Sequence, residues 1–323
     1  MTCLLFAGIG FAAWWKKQAL KDNLENASPP SVVVAEEIFQ PVEAPPPAPP
    51  PLPQTAPKPV RPLPHADRIR ELFNVHSPKF PFVNTIVYKS RAEWIPDRPA
   101  WIVDYASRYK TSTHFLARSL NNNRPDYNVP NVSEGNRFNV LAIDRPLEFL
   151  LVIDLSRCHL WFYCYDSESD ERWLIKDYPV GLGRLDPSTP SGCLTPLGTF
   201  TLGSRVASYA PKAYGWHKGE RTELVTVFGT RWIPFDEEIG ECSDSARGYG
   251  IHGLPLLYDE RRQNYVESTE GLEGYESDGC IRMRSTDVEE LYAVIVSRPT
   301  TLFLVRDFFD AVLPGKETEH STR

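Results

Sequence analysis

From Leu147 onward the chain runs in short β-branched and aromatic stretches separated by Gly and Pro. Leu150 to Leu155, Leu160 to Tyr165, Lys176 to Val180, Thr199 to Leu202, Leu224 to Val227, Gly250 to His252 and Thr301 to Val305 each predict a strand. Such spacing predicts an all-β sandwich or barrel. One stretch breaks the pattern: Val288, Leu291, Tyr292 and Ile295 fall at helical spacing and predict a helix over Thr286 to Val296, with Asp287 in its first turn. Upstream, Thr85 to Tyr88 predicts a short strand and Trp101 to Tyr109 a helix. Phe115 to Leu120 predicts a second helix after the N-cap hydroxyls of Thr111-Ser112-Thr113, and Phe138 to Ile143 a second strand.

The region before Phe82 lacks this texture. Half of the positions from Pro41 to Pro64 are proline, which removes backbone donors and the flexibility to pack a core, so a stiff spacer is expected. Thr2 to Trp15 is almost wholly apolar and ends in Trp14, Trp15, Lys16 and Lys17, the order of a membrane helix meeting its interface. The run is shorter than the roughly 20 residues a bilayer needs, and no basic residue precedes it, so the true start is expected upstream. Taken as it stands, the lysine pair would place the rest of the chain in the cytoplasm. The expected organisation is an anchor at 1–17, a disordered proline-rich linker at 18–81, a small α+β module at 82–145, a mainly β domain at 146–306 and a polar tail at 307–323.

Composition narrows the partners. A length of 323 residues allows about two domains, and 41% hydrophobic residues is ordinary for a chain that folds a core. The net charge of -7 argues against a nucleic-acid ligand, which needs a concentrated basic surface. Six cysteines are too few for a disulfide-built scaffold, and none shows the C-x-x-C spacing of a structural zinc site. Most read as small buried or half-buried thiols.

Cys280 is the exception. It lies in Ser277-Asp278-Gly279-Cys280-Ile281-Arg282-Met283, directly before the predicted helix. A thiol titrates near 8.5, so at neutral pH a cysteine nucleophile needs a neighbouring base or cation. Of seven histidines, His65 and His76 precede the expected folded region, His114 belongs to the first module and His320 to the tail. His159 sits inside a predicted strand, where a packing or surface role fits better. His252, between Gly250 and Gly253, is the first candidate base, and His217, in Tyr214-Gly215-Trp216-His217-Lys218-Gly219, the second. The N–H groups of Gly279 and Cys280 are natural donors to an oxyanion, because glycine leaves room for a substrate carbonyl. Arg282, two residues on, shares a side with Cys280 and is placed to grip a carboxylate. Ser277 is expected to wall the site.

Five landmarks in order carry a resemblance. Val152 to Ser156 with Leu160 to Tyr163, Tyr178-Pro179-Val180-Gly181-Leu182-Gly183, Thr195-Pro196-Leu197-Gly198-Thr199-Phe200, Ile251-His252-Gly253 and the Cys280 segment resemble the YkuD-type L,D-transpeptidases over Leu147 to Arg306. The resemblance implies a β-sandwich catalytic domain in which His252 activates Cys280 and the Gly253 carbonyl orients the imidazole. It implies a peptidoglycan cross-linking enzyme working through a cysteine thioester, with peptide stems as donor and acceptor and without metal or organic cofactor. A water acceptor would make it an L,D-carboxypeptidase and a protein amine an anchoring enzyme; an inactive wall-binding protein is the rival from another class. The expected location is the cell envelope, anchored in the inner membrane with the catalytic domain in the periplasm. Ala106 to Tyr109, Leu120-Asn121 and Glu134 to Arg137 resemble landmarks of a LysM module, without its opening Gly-Asp-Thr and with Ser90 to Ala100 as an insertion. That module either contacts glycan or binds nothing. Two features depart from the YkuD pattern: Asp278 stands where histidine is common, and a carboxylate there opposes thiol activation. His252 and Cys280 lie 28 positions apart, so Leu254 to Glu276 is an enlarged segment, either a lid or a solvated excursion.

Overall fold

The computed structural model describes residues 61–124, 132–204 and 206–318. The expected anchor and residues 18–60 of the expected linker lie outside them. Among the described residues no helix is long and apolar enough to cross a membrane.

The fold begins earlier than the proline pattern suggests, so the expected linker boundary at residue 81 is corrected. Trp161 Nε1 donates to Pro64 O (2.7 Å) and Arg68 N to Ile175 O (2.8 Å), laying this stretch along the later β domain. The single turn α1 (Arg70–Phe73) then buries Leu72 and Phe73 completely, with the Phe73 and Phe115 rings 4.9 Å apart. Ile69, Leu72 and Phe73 share one helical face, a period too short to register beside so many prolines. Phe73→Ala is expected to cost about 3–5 kcal/mol, read as a lower urea midpoint at unchanged slope.

The first module is strand, helix, helix, strand: β1 (Val83–Val87), α2 (Ile102–Arg108), α3 (Thr113–Leu120) and β2 (Arg137–Leu141). β1 and β2 pair antiparallel, Val83 opposite Leu141. Ser112 Oγ accepts Phe115 N–H at 2.9 Å, capping α3, and donates to Ala293 O at 2.6 Å, which ties the module to the β domain. The segment Ser90 to Ala100 closes on itself through Ala100 N–H to Ser90 O (2.8 Å), with Trp94 edge-on to Tyr105.

The β domain opens with a meander of β3 (Leu147–Asp154), β4 (His159–Asp166) and β5 (Glu171–Pro179), followed by the short β6 (Leu182–Gly183). Next come β7 (Gly198–Leu202), β8 (Ala207–Ser208), the hairpin of β9 (Tyr214–His217) and β10 (Glu220–Glu223), the helical turn α4 (Val225–Phe228) and β11 (Arg231–Ile239). β12 (Gly250–Gly253) leads into the hairpin of β13 (Leu256–Asp259) and β14 (Asn264–Glu267), then β15 (Tyr275–Ser277) and β16 (Ile281–Met283). α5 (Ser285–Ile295), β17 (Thr300–Val305) and β18 (Lys316–Glu317) complete it.

These strands do not form the expected sandwich. One ten-stranded mixed sheet, in the order β16-β12-β11-β7-β17-β3-β4-β5-β18 with β8 beside β11, curls into a half-barrel. The pairs β17/β3, β12/β16 and β5/β18 are parallel. β3 explains the misreading. Leu147, Phe149, Leu151 and Ile153 enter the main core, while Leu150 and Val152 enter a second cluster with Ala66, Trp161, Tyr163 and Leu174. A strand buried on both faces reads as sandwich interior, but the layer on its second face is chain around Ala66 and Phe308, not another sheet.

Two local expectations also change. Leu224 to Val227, expected as a strand, is the turn α4: Val225 is buried and Gly229, at φ +59°, ends the turn with its N–H on Val225 O. β11, the nine-residue strand that carries β12, is hidden in sequence by Pro234 and the acidic run after it. Its register with β12 runs from Trp232 opposite His252 to Pro234 opposite Gly250, and past the proline the Phe235 N–H carries the contact on to Tyr249 O at 3.0 Å.

Candidate active site

β12 and β16 run parallel with Ile251 opposite Ile281, His252 opposite Arg282 and Gly253 opposite Met283. Ile251, Ile281 and Met283 are completely buried in the core, so the pleat turns His252, Cys280 and Arg282 to the other side together. The 28-residue separation in sequence thus becomes one step across a strand pair.

His252 is only 4% exposed. Its Nδ1 lies 2.8 Å from Gly253 O. A carbonyl only accepts, so Nδ1 carries the proton and Nε2 keeps its lone pair. Phe228 stands edge-on to the ring, with centroids 5.5 Å apart, and Trp232 flanks it at 6.0 Å. Burial drives the His252 pKa down to about 4; the Gly253 carbonyl pulls it up, and the charges of Arg282 and His217 lower it further. The imidazole is therefore a neutral base throughout the physiological range. A stability effect follows from this depression. Below pH 6.5 the unfolded chain binds a proton that the folded chain refuses until about pH 4, so stability is full above 6.5 and falls as pH drops. Between pH 6.5 and 4 the loss from this one group is about 3 kcal/mol, and His252→Gln is expected to remove that slope from chemical denaturation measured across the window.

Burial pushes the Cys280 thiol above its ordinary range. A hydrogen bond from the Gly250 backbone and the charges of Arg282 and Lys218 pull it back, and Asp278 adds to the rise. The thiol donates to Gly248 O at 3.7 Å and not to His252. The resting groups are thus a protonated thiol and a neutral imidazole. Asp278 does not act alone: its carboxylate bridges Arg184 and Lys218, each at 2.5 Å, and these two cations hold its pKa down. The opposing charge beside the thiol is largely met.

The loop that carries Cys280 is held by two hydroxyls. Ser277, expected to wall the substrate site, is buried; its Oγ accepts Gly279 N–H at 3.1 Å and donates to Cys280 O at 2.6 Å. Gly279 N–H, expected as an oxyanion donor, is thereby engaged inside the loop. Thr195 Oγ1 donates to Gly279 O at 3.0 Å and accepts Gly183 N–H at 2.8 Å. Arg282 is half-buried, pairs its backbone with Gly181, and has no partner for its Nε among the described residues. Among the described residues no group of three or more His, Cys, Asp or Glu side chains is placed to hold a metal ion.

Residues 148–304 match the family model of the YkuD L,D-transpeptidase catalytic domain. This segment is a YkuD domain. No curated protein matches the chain. Among solved structures it is similar to the helical cell shape determining protein Pgp2 from Campylobacter jejuni, at 15% identity and a TM-score of 0.34 over 53% of this chain and 50% of that one. Bd1075 of Bdellovibrio bacteriovorus is similar at 16% identity and a TM-score of 0.33, over 49% of this chain and 48% of that one. The chain spans about half the length of these neighbours.

In this YkuD domain the enlarged segment 254–276 is a hairpin and a return loop, with Glu260 to Asn264 at its tip exposed to solvent. Its β13/β14 hairpin packs on α4, and Tyr265 donates to Glu223 at 2.6 Å. Its end lies against β6, with Leu182 N–H on Gly274 O at 2.8 Å. His217, the second candidate base, stacks edge-on to Phe228 at 5.3 Å, on a ring that also touches His252. His159 is paired with Asp177 at 2.8 Å. Tyr249 is a neighbour that sequence reading missed: its ring edge abuts Gly279 and its hydroxyl donates to Asp244 at 2.7 Å. Burial, with Asp244 beside it, raises the Tyr249 pKa to about 12, so it stays a neutral phenol.

Proposed function

We propose that this YkuD domain is a peptidoglycan L,D-transpeptidase. The observation that carries the reading is the register of β12 and β16, with the carbonyl-oriented His252 opposite Arg282 and strand alternation turning Cys280 to the same side. Cys280 attacks the carbonyl of the third residue of a tetrapeptide stem, its thiol proton passing to His252 Nε2. The terminal D-amino acid leaves with that proton and a thioester remains on the protein. A side-chain amine of a second stem then captures the acyl group. Arg282, half-buried and on the Cys280 side of β16, is the cation that would hold a substrate carboxylate. The site residues are Cys280, His252 and Gly253, with the Cys280 N–H at the oxyanion. The enzyme would work in the cell envelope, tethered to the inner membrane by its N-terminal segment and facing the periplasm, and its cross-links would serve wall organisation and cell shape.

The first module is the part that would touch glycan in a LysM-like manner. It carries a cavity of about 310 Å³ between the end of β1 and α2, lined by Trp94, Tyr105, Tyr109, Arg91 and Arg108. Aromatic faces of this kind suit sugar rings. The test of the catalytic reading incubates the full chain with disaccharide tetrapeptide and follows products by mass. Cross-linked dimer identifies the transpeptidase, tripeptide alone the L,D-carboxypeptidase, and an acyl group carried onto an added protein the anchoring enzyme. No turnover leaves a wall-binding protein.

A further inference from the structure

Thr195 is completely buried, and both hydrogen bonds of its hydroxyl are spent on backbone. Because Oγ1 accepts from Gly183 N–H and Gly279 O can only accept, the hydroxyl proton points at Gly279 O. The contact is locked by close backbone approach. A Cβ on Gly183 would lie 2.7 Å from Thr195 N and 2.9 Å from Gly279 Cα, so the three chains touch with no side chain between them. Gly279 O and Cys280 N–H belong to one planar trans peptide and point in opposite directions. Holding the carbonyl inward at Thr195 therefore turns the Cys280 N–H outward, away from the core. Ser277 fixes the peptides on either side, and by engaging Gly279 N–H it makes the Cys280 N–H the donor that matters.

We propose that Thr195 is a positioning residue for acyl transfer: its hydroxyl fixes the Gly279–Cys280 peptide so that the Cys280 N–H meets the oxyanion. The inference rests on the proposed chemistry at Cys280. In the step concerned, the sulfur–carbon bond forms as the thiol proton moves to His252. The carbonyl π pair moves onto oxygen, where the Cys280 N–H receives it. The oxygen pair then re-forms the carbonyl, and the leaving group departs.

The test compares two reactions of the same thiol in the full chain. p-Nitrophenyl acetate acylates Cys280 through an oxyanion and releases p-nitrophenol. Iodoacetamide alkylates it by displacement at a saturated carbon, with no oxyanion. Both rates are read by mass on the Cys280 peptide, per titratable Cys280 thiol, so that a loss of folded protein cancels. Thr195→Val keeps the shape and removes the hydroxyl; it is expected to slow acylation by about 100-fold, the scale of losing one oxyanion donor, while alkylation stays at the wild-type rate. Thr195→Ser is expected to restore acylation. Thr195→Ala serves the same comparison should the valine variant not fold. Equal loss of acylation and alkylation, or a serine variant as slow as valine, overturns the positioning role alone. A wild-type thiol that is alkylated but never acylated overturns the acyl-transfer reading and the inference with it.

Discussion

Replacing Cys280 with alanine is expected to abolish turnover of tetrapeptide stems, by at least about 10⁴-fold, because no other group can take over the covalent step. The five cysteines among the described residues are free, but Cys158, Cys164 and Cys193 are buried, and burial raises the thiols of Cys158 and Cys164 out of reactive range. Cys242 points its sulfur at Thr199 O, at 3.3 Å. Among the described cysteines only Cys280 combines partial access with an imidazole lone pair on the same side of a strand pair. The fold does not depend on it: the thiol's bond to Gly248 O is long and sulfur-weak, so the melting temperature is expected to stay near wild type. The check is intact-protein mass during turnover, which should show an acyl adduct in the wild type and none in the variant. Persistent turnover by a folded Cys280→Ala protein would sink the thioester mechanism.

The parts of this site that the sequence displays are those set by local rules. Cys280 and Arg282 share a side because strands alternate, and His252 stands out because the other histidines have places elsewhere. What joins them is not local. The β12/β16 register depends on β11, whose Pro234 and acidic run conceal a strand that tertiary pairing nonetheless supports. The enlarged segment 254–276 hides a hairpin because its tyrosines read as surface until Glu223 and α4 are seen beneath them. Ser277 and Thr195 are similar cases. A hydroxyl near a nucleophile looks like a substrate contact, whereas both are turned inward onto backbone that only the folded loop creates. At the level of the fold, the double burial of β3 and β4 is legible, but which layer covers the second face is not. Segments such as 61–66 and 308–313 carry too little periodicity to announce themselves as a layer.

Gly279 is the second position where a single atom should matter greatly. Its φ of +116° lies outside the region that side-chain-bearing residues adopt comfortably, so alanine there carries backbone strain of about 1–3 kcal/mol. Space compounds the strain. A Cβ would sit 2.4 Å from Tyr249 Cε1 and 2.8 Å from Leu194 O. The tyrosine ring can move only by giving up its bond to Asp244, and the Leu194 carbonyl belongs to the chain that presents Thr195. The loop would therefore shift, carrying the Cys280 N–H and sulfur off line together. A displacement near 1 Å at reacting groups costs about 100-fold, and with the oxyanion donor also misplaced the expected fall in kcat for Gly279→Ala is about 1,000-fold. The double variant Gly279→Ala/Tyr249→Ala separates the causes. It removes the ring contact but neither the φ strain nor the Leu194 O contact, so it is expected to recover little of the lost kcat. Full recovery would show that the ring alone enforces glycine here, and that the held peptide beneath Cys280 has more freedom than its two hydroxyl clamps imply.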